Sequence, residues 1–151
     1  NWARKHLRAI ELAYQRAPYF ERYFEPLQAI YAKGWTTLAG LNNALLLWLL
    51  EELEIDVPIA YASEQGFEGT KSALVLDMCN KMGATEYVFG AMGKDYADVA
   101  AFEKAGIKVW FQHYKHSIYP QLHGEFVPDL SVIDLLMNCG PDNADIIRGE
   151  Q

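Results

Sequence analysis

The sequence is poor in cysteine, with only Cys79 and Cys139 among its 151 residues. Because one widely separated pair cannot build a disulfide framework, we expect two reduced, packed thiols in a cytoplasmic protein. Long apolar runs are also missing. The longest, Ala44–Leu50, is far shorter than the roughly 20 residues that cross a bilayer. The opening segment, NWARKHLRAIE, has no apolar stretch typical of a signal peptide. We therefore expect no membrane partner.

Lysine and arginine are scarce as well. The chain holds 13 of them against 20 aspartates and glutamates, for a formal net charge of −7. Proteins that bind nucleic acids in general carry a basic excess, because neutralising phosphates supplies much of their affinity. The composition therefore excludes a general nucleic-acid binder. The charge is uneven, since residues 1–35 hold six basic and three acidic residues, which is +3, and the remainder is −10.

Apolar residues are abundant. Hydrophobic residues make up 51% of the chain and charged residues 22%, and a domain of this size buries roughly 70% of the surface of its unfolded chain. We expect a single folded domain with three parts: helical residues 1–56, α/β residues 57–113, and a loop with helices over 114–151. Because the first residue is Asn1 rather than Met, we also expect this chain to be the C-terminal part of a longer domain.

The first part predicts three helices. Ala3, Leu7, Ile10 and Tyr14 share one face at helical spacing, and Pro18 ends that helix. The next helix is expected to restart with Pro26 near its first position and to stop at Gly34. Thr36 or Thr37 caps a third helix that runs to about Glu54. Its middle, ALLLWLL, is apolar on every side and predicts burial on most faces.

The second part predicts a β-α-β-α-β unit. Its strands are 58–62, 86–89 and 107–111, its helices are 70–82 and 96–105, and the connections suit right-handed crossovers in a parallel sheet. In the tail, Ser131 and Asp134 stand three residues apart before an apolar run, which is close to a capping box. Gly140-Pro141 then ends that helix. The fold class is therefore α/β, with N-terminal helices, a parallel sheet and C-terminal helices.

Ligands of open α/β sheets collect outside the carboxyl ends of the strands. Three segments follow those ends here, namely 63–70, 90–96 and 112–131. We therefore predict a small-molecule site, to which polar side chains of these segments contribute: Ser63, Lys71, Lys94, Tyr96, His113, His116, Tyr119, Gln121 and His123.

Two glycine-containing turns could hold an anion. GFEGTKS, Gly66–Ser72, lacks both glycines of a P-loop at the required spacing. It is either a simple helix start or an anion site made by backbone N–H groups and Lys71. GAMGKDY, Gly90–Tyr96, leaves the same alternatives open. Its glycines either permit positive φ or admit a ligand, with Lys94 as the counter-charge.

The histidines His113, His116 and His123 could together bind zinc, but no cysteine or closely spaced acid completes a ligand pattern. We predict no metal site and leave the cofactor open. His116 is better suited to general acid–base catalysis, because imidazole titrates near neutrality.

Several segments, in this order, resemble the WbqC-like protein family: Lys5–Phe20, Leu41-Asn42, Ser63, Gly83–Tyr96, Ala101–Gln112 and, most specifically, YPQLHGEFVPDLSVIDLLMNCG at Tyr119–Gly140. The resemblance implies a role in O-antigen or related surface-polysaccharide biosynthesis, since the family is associated with such gene clusters. It also implies candidate residues at the matching positions: Tyr96, Tyr119, Gln121, Ser131, Asp134 and Asn138. Family members begin with a further N-terminal region that nothing here matches.

Two functions follow from these observations. The first is a cytoplasmic enzyme of group-transfer or sugar-modifying type that acts on an activated sugar or a related phosphorylated small molecule. In it Lys71 and Lys94 neutralise phosphate, His116 moves protons, and Tyr119, Gln121 and Asp134 position the substrate. The alternative is a non-catalytic partner of a pathway enzyme, with the aromatic YFERYF segment as its interface.

Overall fold

In the computed structural model, which describes residues 2–149, the chain folds as two compact units. One comprises Asn1–Val57 with His116–Gln151, and the other Pro58–Lys115. The helices are α1 (Trp2–Tyr14), α2 (Phe20–Ala32), α3 (Leu38–Glu52), α4 (Ala62–Gln65), α5 (Lys71–Met82), α6 (Val99–Lys104), α7 (Val132–Cys139) and α8 (Asn143–Arg148), and the strands are β1 (Glu86–Phe89) and β2 (Lys108–Phe111). The predicted class, with N-terminal helices, a parallel sheet and C-terminal helices, is confirmed.

The proline in the second helix does not break it, so the predicted restart at Pro26 is wrong. Pro26 lies inside α2, which runs unbroken from Phe20 to Ala32. Proline removes one backbone N–H and crowds the carbonyl four residues earlier, at a cost of about 3 kcal/mol. The same helix buries Tyr23, Phe24 and Leu27 in the core of its unit. Burying each of these side chains stabilises the fold by roughly 1.5–3 kcal/mol, which offsets the cost of the proline.

The third helix starts as predicted but is less buried than predicted. The Thr37 hydroxyl accepts the Gly40 N–H at 3.1 Å, which caps α3. Leu41 and Trp48 face the core, whereas Leu38, Leu46 and Leu47 are exposed. The α3 helix therefore has one apolar face packed against the core and one apolar face that is exposed. Among residues 2–149 no helix is long and apolar enough to cross a membrane.

The sheet of the 58–115 unit consists of β1 and β2. They pair in parallel with Glu86 opposite Lys108 and Phe89 opposite Phe111. The predicted strand at 58–62 does not form, since residues 58–61 have no regular structure and Ala62 begins α4. Pro58 offers no N–H to a neighbouring strand, and residues 56–60 are exposed. Strands of parallel sheets are covered by other elements on both faces, and this exposed segment is not.

Beneath this sheet lies a small aromatic core. Phe89, Phe102 and Ile107 are almost fully buried, and the Phe89 and Phe102 rings meet edge to face at 5.4 Å. The buried Ser72 hydroxyl accepts the Asp98 N–H at 2.9 Å, which ties the start of α5 to the cap of α6. The predicted helix 96–105 begins later, at Val99. A 3-10 turn over Ala91–Asp95 occupies the preceding loop, and Asp98 caps α6.

Candidate functional site

A buried carboxylate is the centre of the polar cluster in the unit formed by residues 1–57 and 116–151. Asp134 lies in the first turn of α7 and is 4% exposed. Its Oδ2 accepts two hydrogen bonds, one from the Tyr119 hydroxyl at 3.0 Å and one from Gln121 Nε2 at 3.0 Å. The start of a helix suits an anion there, because the macrodipole is positive at that end. Asp134 is therefore a buried acceptor with neutral donors.

The amide of Gln121 is held by backbone on its far side. Its Nε2 also donates to the Val127 carbonyl at 3.0 Å, and its Oε1 accepts the Val127 N–H at 2.8 Å. This pairing defines which end of the amide carries the donors, since only one orientation satisfies both bonds. Gln121 thus presents its remaining hydrogen to Asp134 in a constrained position.

Two further candidate residues contact the backbone of α7. The Ser131 hydroxyl accepts the Ile133 N–H at 3.5 Å as the helix cap. Asn138 is buried, and its Nδ2 donates to the Asp134 carbonyl at 2.8 Å. Of the predicted capping box, the serine half forms, while the carboxylate of Asp134 bonds to Tyr119 and Gln121. Ser131 and Asn138 therefore support the segment that carries Asp134.

Two tyrosines beside the carboxylate are held in their protonated form. The pKa of Tyr14 is raised to about 12, first by burial and then by the charge of Asp134 and a hydrogen bond to it. Burial also raises the pKa of Tyr119 to about 12; the Gln121 hydrogen bond opposes the rise, and Asp134 adds to it. Both phenols are therefore neutral donors near neutral pH. Burial, followed by the charge of Asp134, raises the pKa of Cys139 to about 11, so that its thiol is a poor nucleophile.

Asp134 forms part of the wall of a cleft of about 210 Å³. Apolar and polar side chains share the rest of the lining, which comprises Ala13, Tyr14, Gln121, Leu122, His123, Val127 and Leu130. Pockets for drug-sized ligands measure about 300–1,000 Å³. A cleft of this size suits a single small ring with polar substituents.

His116 lies beside Asp129 rather than in the hydrogen bonds described around Asp134. His116 Nε2 accepts a hydrogen bond from the Asp129 N–H at 3.2 Å and lies 3.3 Å from Asp129 Oδ1. The Phe126 ring contacts both His116, at 6.4 Å between centroids, and Tyr119, at 5.2 Å. One aromatic ring therefore links the imidazole to a phenol of the Asp134 cluster.

In the 58–115 unit, the start of α5 is stabilised by its own side chains. The Glu68 N–H donates to Asp77 Oδ2 at 2.8 Å, and Lys81 donates to the Gly66 carbonyl at 2.9 Å while pairing with Asp77 at 2.9 Å. Lys71 is exposed and has a positive φ of 51°. Because Asp77 already occupies one loop N–H, these contacts favour the simple helix start over an anion site. Ser63 is exposed in α4.

The loops after β1 and β2 meet, as parallel pairing requires. Lys94 Nζ lies 3.1 Å from His113 Nε2 and over the Phe111 ring at 5.7 Å. Tyr96 packs edge to face on Phe89 at 5.9 Å between centroids. This lysine–imidazole pair is exposed at the carboxyl ends of the strands, where the sequence predicts ligand contacts.

Comparison with known proteins now decides the family. The profile of the WbqC-like protein family matches residues 1–146, which is nearly the whole chain. The chain belongs to the WbqC-like protein family. It is also similar to the protein named "Uncharacterized protein Rv1507c" of Mycobacterium tuberculosis, with 33% identity over 150 residues; the match covers 98% of this chain and 65% of that protein. No solved structure matches the chain.

Of the four histidines of this WbqC-like chain, the three considered above as zinc ligands have separate surroundings. His113 contacts Lys94, His116 contacts Asp129, and His123 lines the 210 Å³ cleft. Within residues 2–149 no group of three or more His, Cys, Asp or Glu side chains is arranged to hold a metal ion.

Sequence reasoning missed three contributors to the site of this WbqC-like protein: Tyr14, Phe126 and the backbone of Val127. The available signal for Tyr14 was its hydroxyl on an otherwise apolar helix face, since a buried phenol needs a partner. For Phe126 and Val127 there was no signal, because their contacts depend on how the 116–131 loop folds back toward α7.

Proposed function

We propose that this WbqC-like protein is a cytoplasmic enzyme of group-transfer or sugar-modifying type in surface-polysaccharide biosynthesis, such as that of O-antigen. The observation that carries the proposal is Asp134, a carboxylate 4% exposed on the wall of a cleft sized for one sugar ring. Polar groups placed in an otherwise apolar concavity are the usual sign of a small-molecule site. Family membership supports the pathway, since WbqC-like proteins are associated with such gene clusters.

In the proposed site, Asp134 accepts a hydrogen bond from the reacting hydroxyl or amine of the sugar. A carboxylate has about four lone-pair positions. Tyr119, Gln121 and Tyr14 engage it as donors, which leaves room for a substrate donor. Taking up the proton of the attacking group makes that group a better nucleophile, and a positioned base typically contributes 10²–10⁴-fold to the rate.

The other predicted residues take supporting roles. Tyr119 and Gln121 orient the carboxylate, and Asn138 and Ser131 support the first turn of α7. His116 is proposed to exchange protons with solvent from its position next to Asp129 and Phe126. Ser63 and Tyr96 remain proposed ligand contacts within the 58–115 unit. No cofactor is assigned.

Replacing Asp134 with asparagine tests the sugar site. We expect glucose, galactose, mannose or glucosamine to bind the wild-type protein in saturation-transfer NMR, and the Asp134→Asn variant to bind about tenfold more weakly. The reason is the loss of a charge-assisted hydrogen bond, which is roughly twice as strong as a neutral one. Asp145→Asn changes an exposed carboxylate of the same unit and should bind as the wild type does. The proposal fails if no sugar binds, or if Asp134→Asn binds as well as the wild type.

The phosphate part of the proposal concerns Lys94 and Lys71 of the 58–115 unit. We expect a nucleotide sugar, with UDP-glucose as the probe, to bind about three- to tenfold more weakly to Lys94→Ala. A hydrogen bond to a charged group contributes about 1.5–3 kcal/mol, and exposure reduces it. Lys71→Ala should have the smaller effect, because the Asp77 carboxylate already accepts the Glu68 N–H in the loop before Lys71. Lys104→Ala, in α6, is the control. Unchanged calorimetric affinity in both test variants would exclude these phosphate contacts.

A second candidate function is that of a non-catalytic partner, and the open face of α3 favours it. Leu38 is 67% exposed, and Leu46 and Leu47 are also exposed. Within the aromatic segment at 19–24, Tyr23 and Phe24 are buried in the core and are not available to a partner. An interface would therefore lie on the leucines of α3 rather than on these rings.

A further inference from the structure

Among residues 2–149, no lysine or arginine forms an ion pair with Asp134. The ion pairs within residues 2–149 join other residues, and Asp134 bonds to hydroxyl and amide groups. Neither lysine nor arginine is among the described residues that line the cleft. Burial of an unpaired carboxylate is costly, and neutral donors with a helix N-terminus only partly offset that cost.

The donors around Asp134 also stay neutral. With pKa values of about 12, Tyr14 and Tyr119 keep their protons at neutral pH. The Gln121 amide cannot ionise. The amide is moreover constrained by its two bonds to Val127, so it cannot turn its oxygen toward a ligand without losing both. Among these groups, the carboxylate is therefore the acceptor that a ligand meets.

We propose that the cleft at Asp134 takes an amino sugar, with the ammonium group of the sugar against the Asp134 carboxylate. This inference rests on the proposed sugar site and adds its substrate class. A primary ammonium supplies both a positive charge and N–H donors, whereas a neutral hydroxyl supplies a donor without the charge. The apolar side chains of Ala13, Leu122 and Leu130 then cover the C–H face of the ring. The cleft of about 210 Å³ has room for the monosaccharide unit of such a substrate.

Matched sugars test this inference on the wild-type protein. The probes are glucosamine and kanosamine, whose amines replace different hydroxyls of glucose, with glucose and the two N-acetylated forms as comparisons. We expect at least one free amine to bind about tenfold more tightly than glucose and than its own N-acetyl form in calorimetric titrations. N-acetylation keeps the sugar ring but removes the charge, so this comparison needs no variant that might fail to fold.

Two variants test whether Asp134 causes the preference for the amine. In Asp134→Asn the amine should lose its roughly tenfold advantage, because the carboxylate is gone. Asp145→Asn, which removes an exposed carboxylate of the same unit, should keep it and so excludes a general attraction of cations to an acidic protein. Thermal melting checks that both variants are folded.

The outcomes separate this inference from the proposed function. If glucose binds as well as both amines and Asp134→Asn weakens all of them, the sugar site stands and the amine preference is wrong. If no sugar of any class binds, the sugar site itself is wrong. An amine advantage that persists in Asp134→Asn would also overturn the inference, since another group would then recognise the ammonium.

Discussion

Replacing Gly140 with alanine is expected to lower the free energy of unfolding by about 3 kcal/mol. Gly140 has φ of 58° and ψ of −128° at the end of α7, a positive-φ conformation outside the left-handed helical region that costs a residue with a side chain about 1–3 kcal/mol. The added methyl would also lie 2.5 Å from Cδ1 and Cε1 of the Tyr19 ring. Overpacking of this kind costs about 1–3 kcal/mol. Tyr19 cannot easily retreat, because its N–H donates to the Met137 carbonyl at 3.0 Å.

Two controls separate the backbone contribution from the clash. Gly34 also has a positive φ, 68°, but nothing lies within 4 Å of an added methyl. Gly34→Ala should therefore cost only about 1 kcal/mol. In a Tyr19→Ala background, the further change Gly140→Ala should cost about as little, because the ring is absent. Urea unfolding followed by tryptophan fluorescence measures all of these variants. Equal losses for Gly34→Ala and Gly140→Ala would show that the Tyr19 contact does not limit residue 140.

Removing the Asp134 side chain is expected to cost about 2 kcal/mol. In Asp134→Ala the Tyr119 hydroxyl and one Gln121 hydrogen lose their shared acceptor, and each buried unpaired donor costs about 1–3 kcal/mol. Relief from burying a charge offsets part of this loss. Asp134→Asn keeps the volume and one acceptor oxygen, so it should cost less. Urea unfolding at pH 7 gives the comparison, and exposed Asp129→Asn should stay within about 0.5 kcal/mol of the wild type.

The same variants should change the stability at alkaline pH. The pKa values of Tyr14 and Tyr119 are about 12 in the folded protein, against 10.0 for an ordinary tyrosine. Because the folded form binds these protons more tightly, their stabilisation is complete below pH 10 and is lost between pH 10 and 12. In Asp134→Asn both pKa values should fall but stay above 10, since burial is the largest cause of each shift. The loss of stability above pH 10 should then be smaller than in the wild type. An identical decline in both proteins would show that Asp134 does not act on these phenols.

Local sequence signals predicted several of the element ends. Thr37 caps α3 and Ser131 caps α7 as expected, and the strands 86–89 and 107–111 were placed to within one residue. Such features depend on groups a few residues apart, such as a hydroxyl beside the free N–H groups of a first turn. The same rules failed at Pro26, where the burial of Tyr23 and Leu27 outweighs the local cost of proline.

The strand predicted at 58–62 failed for a related reason. Its apolar residues have the composition of a strand, but a strand exists only where a neighbour supplies hydrogen bonds and cover. In the described chain, β1 and β2 pair with each other, whereas residues 58–61 form no strand and residues 58–60 stay exposed. Pairing joins distant residues, so composition alone could not decide it.

By itself, the sequence determined the fold class, the family resemblance and the polar residues from which a site is built, including Tyr119, Gln121 and Asp134. Only the tertiary structure decided that these side chains meet, that Tyr14 from the first helix joins them, and that His116 bonds to Asp129 instead. The physical reason is range. Capping and periodicity act over a few residues, whereas Tyr14 and Asp134 lie far apart in the chain and are brought together only by the packing of their unit.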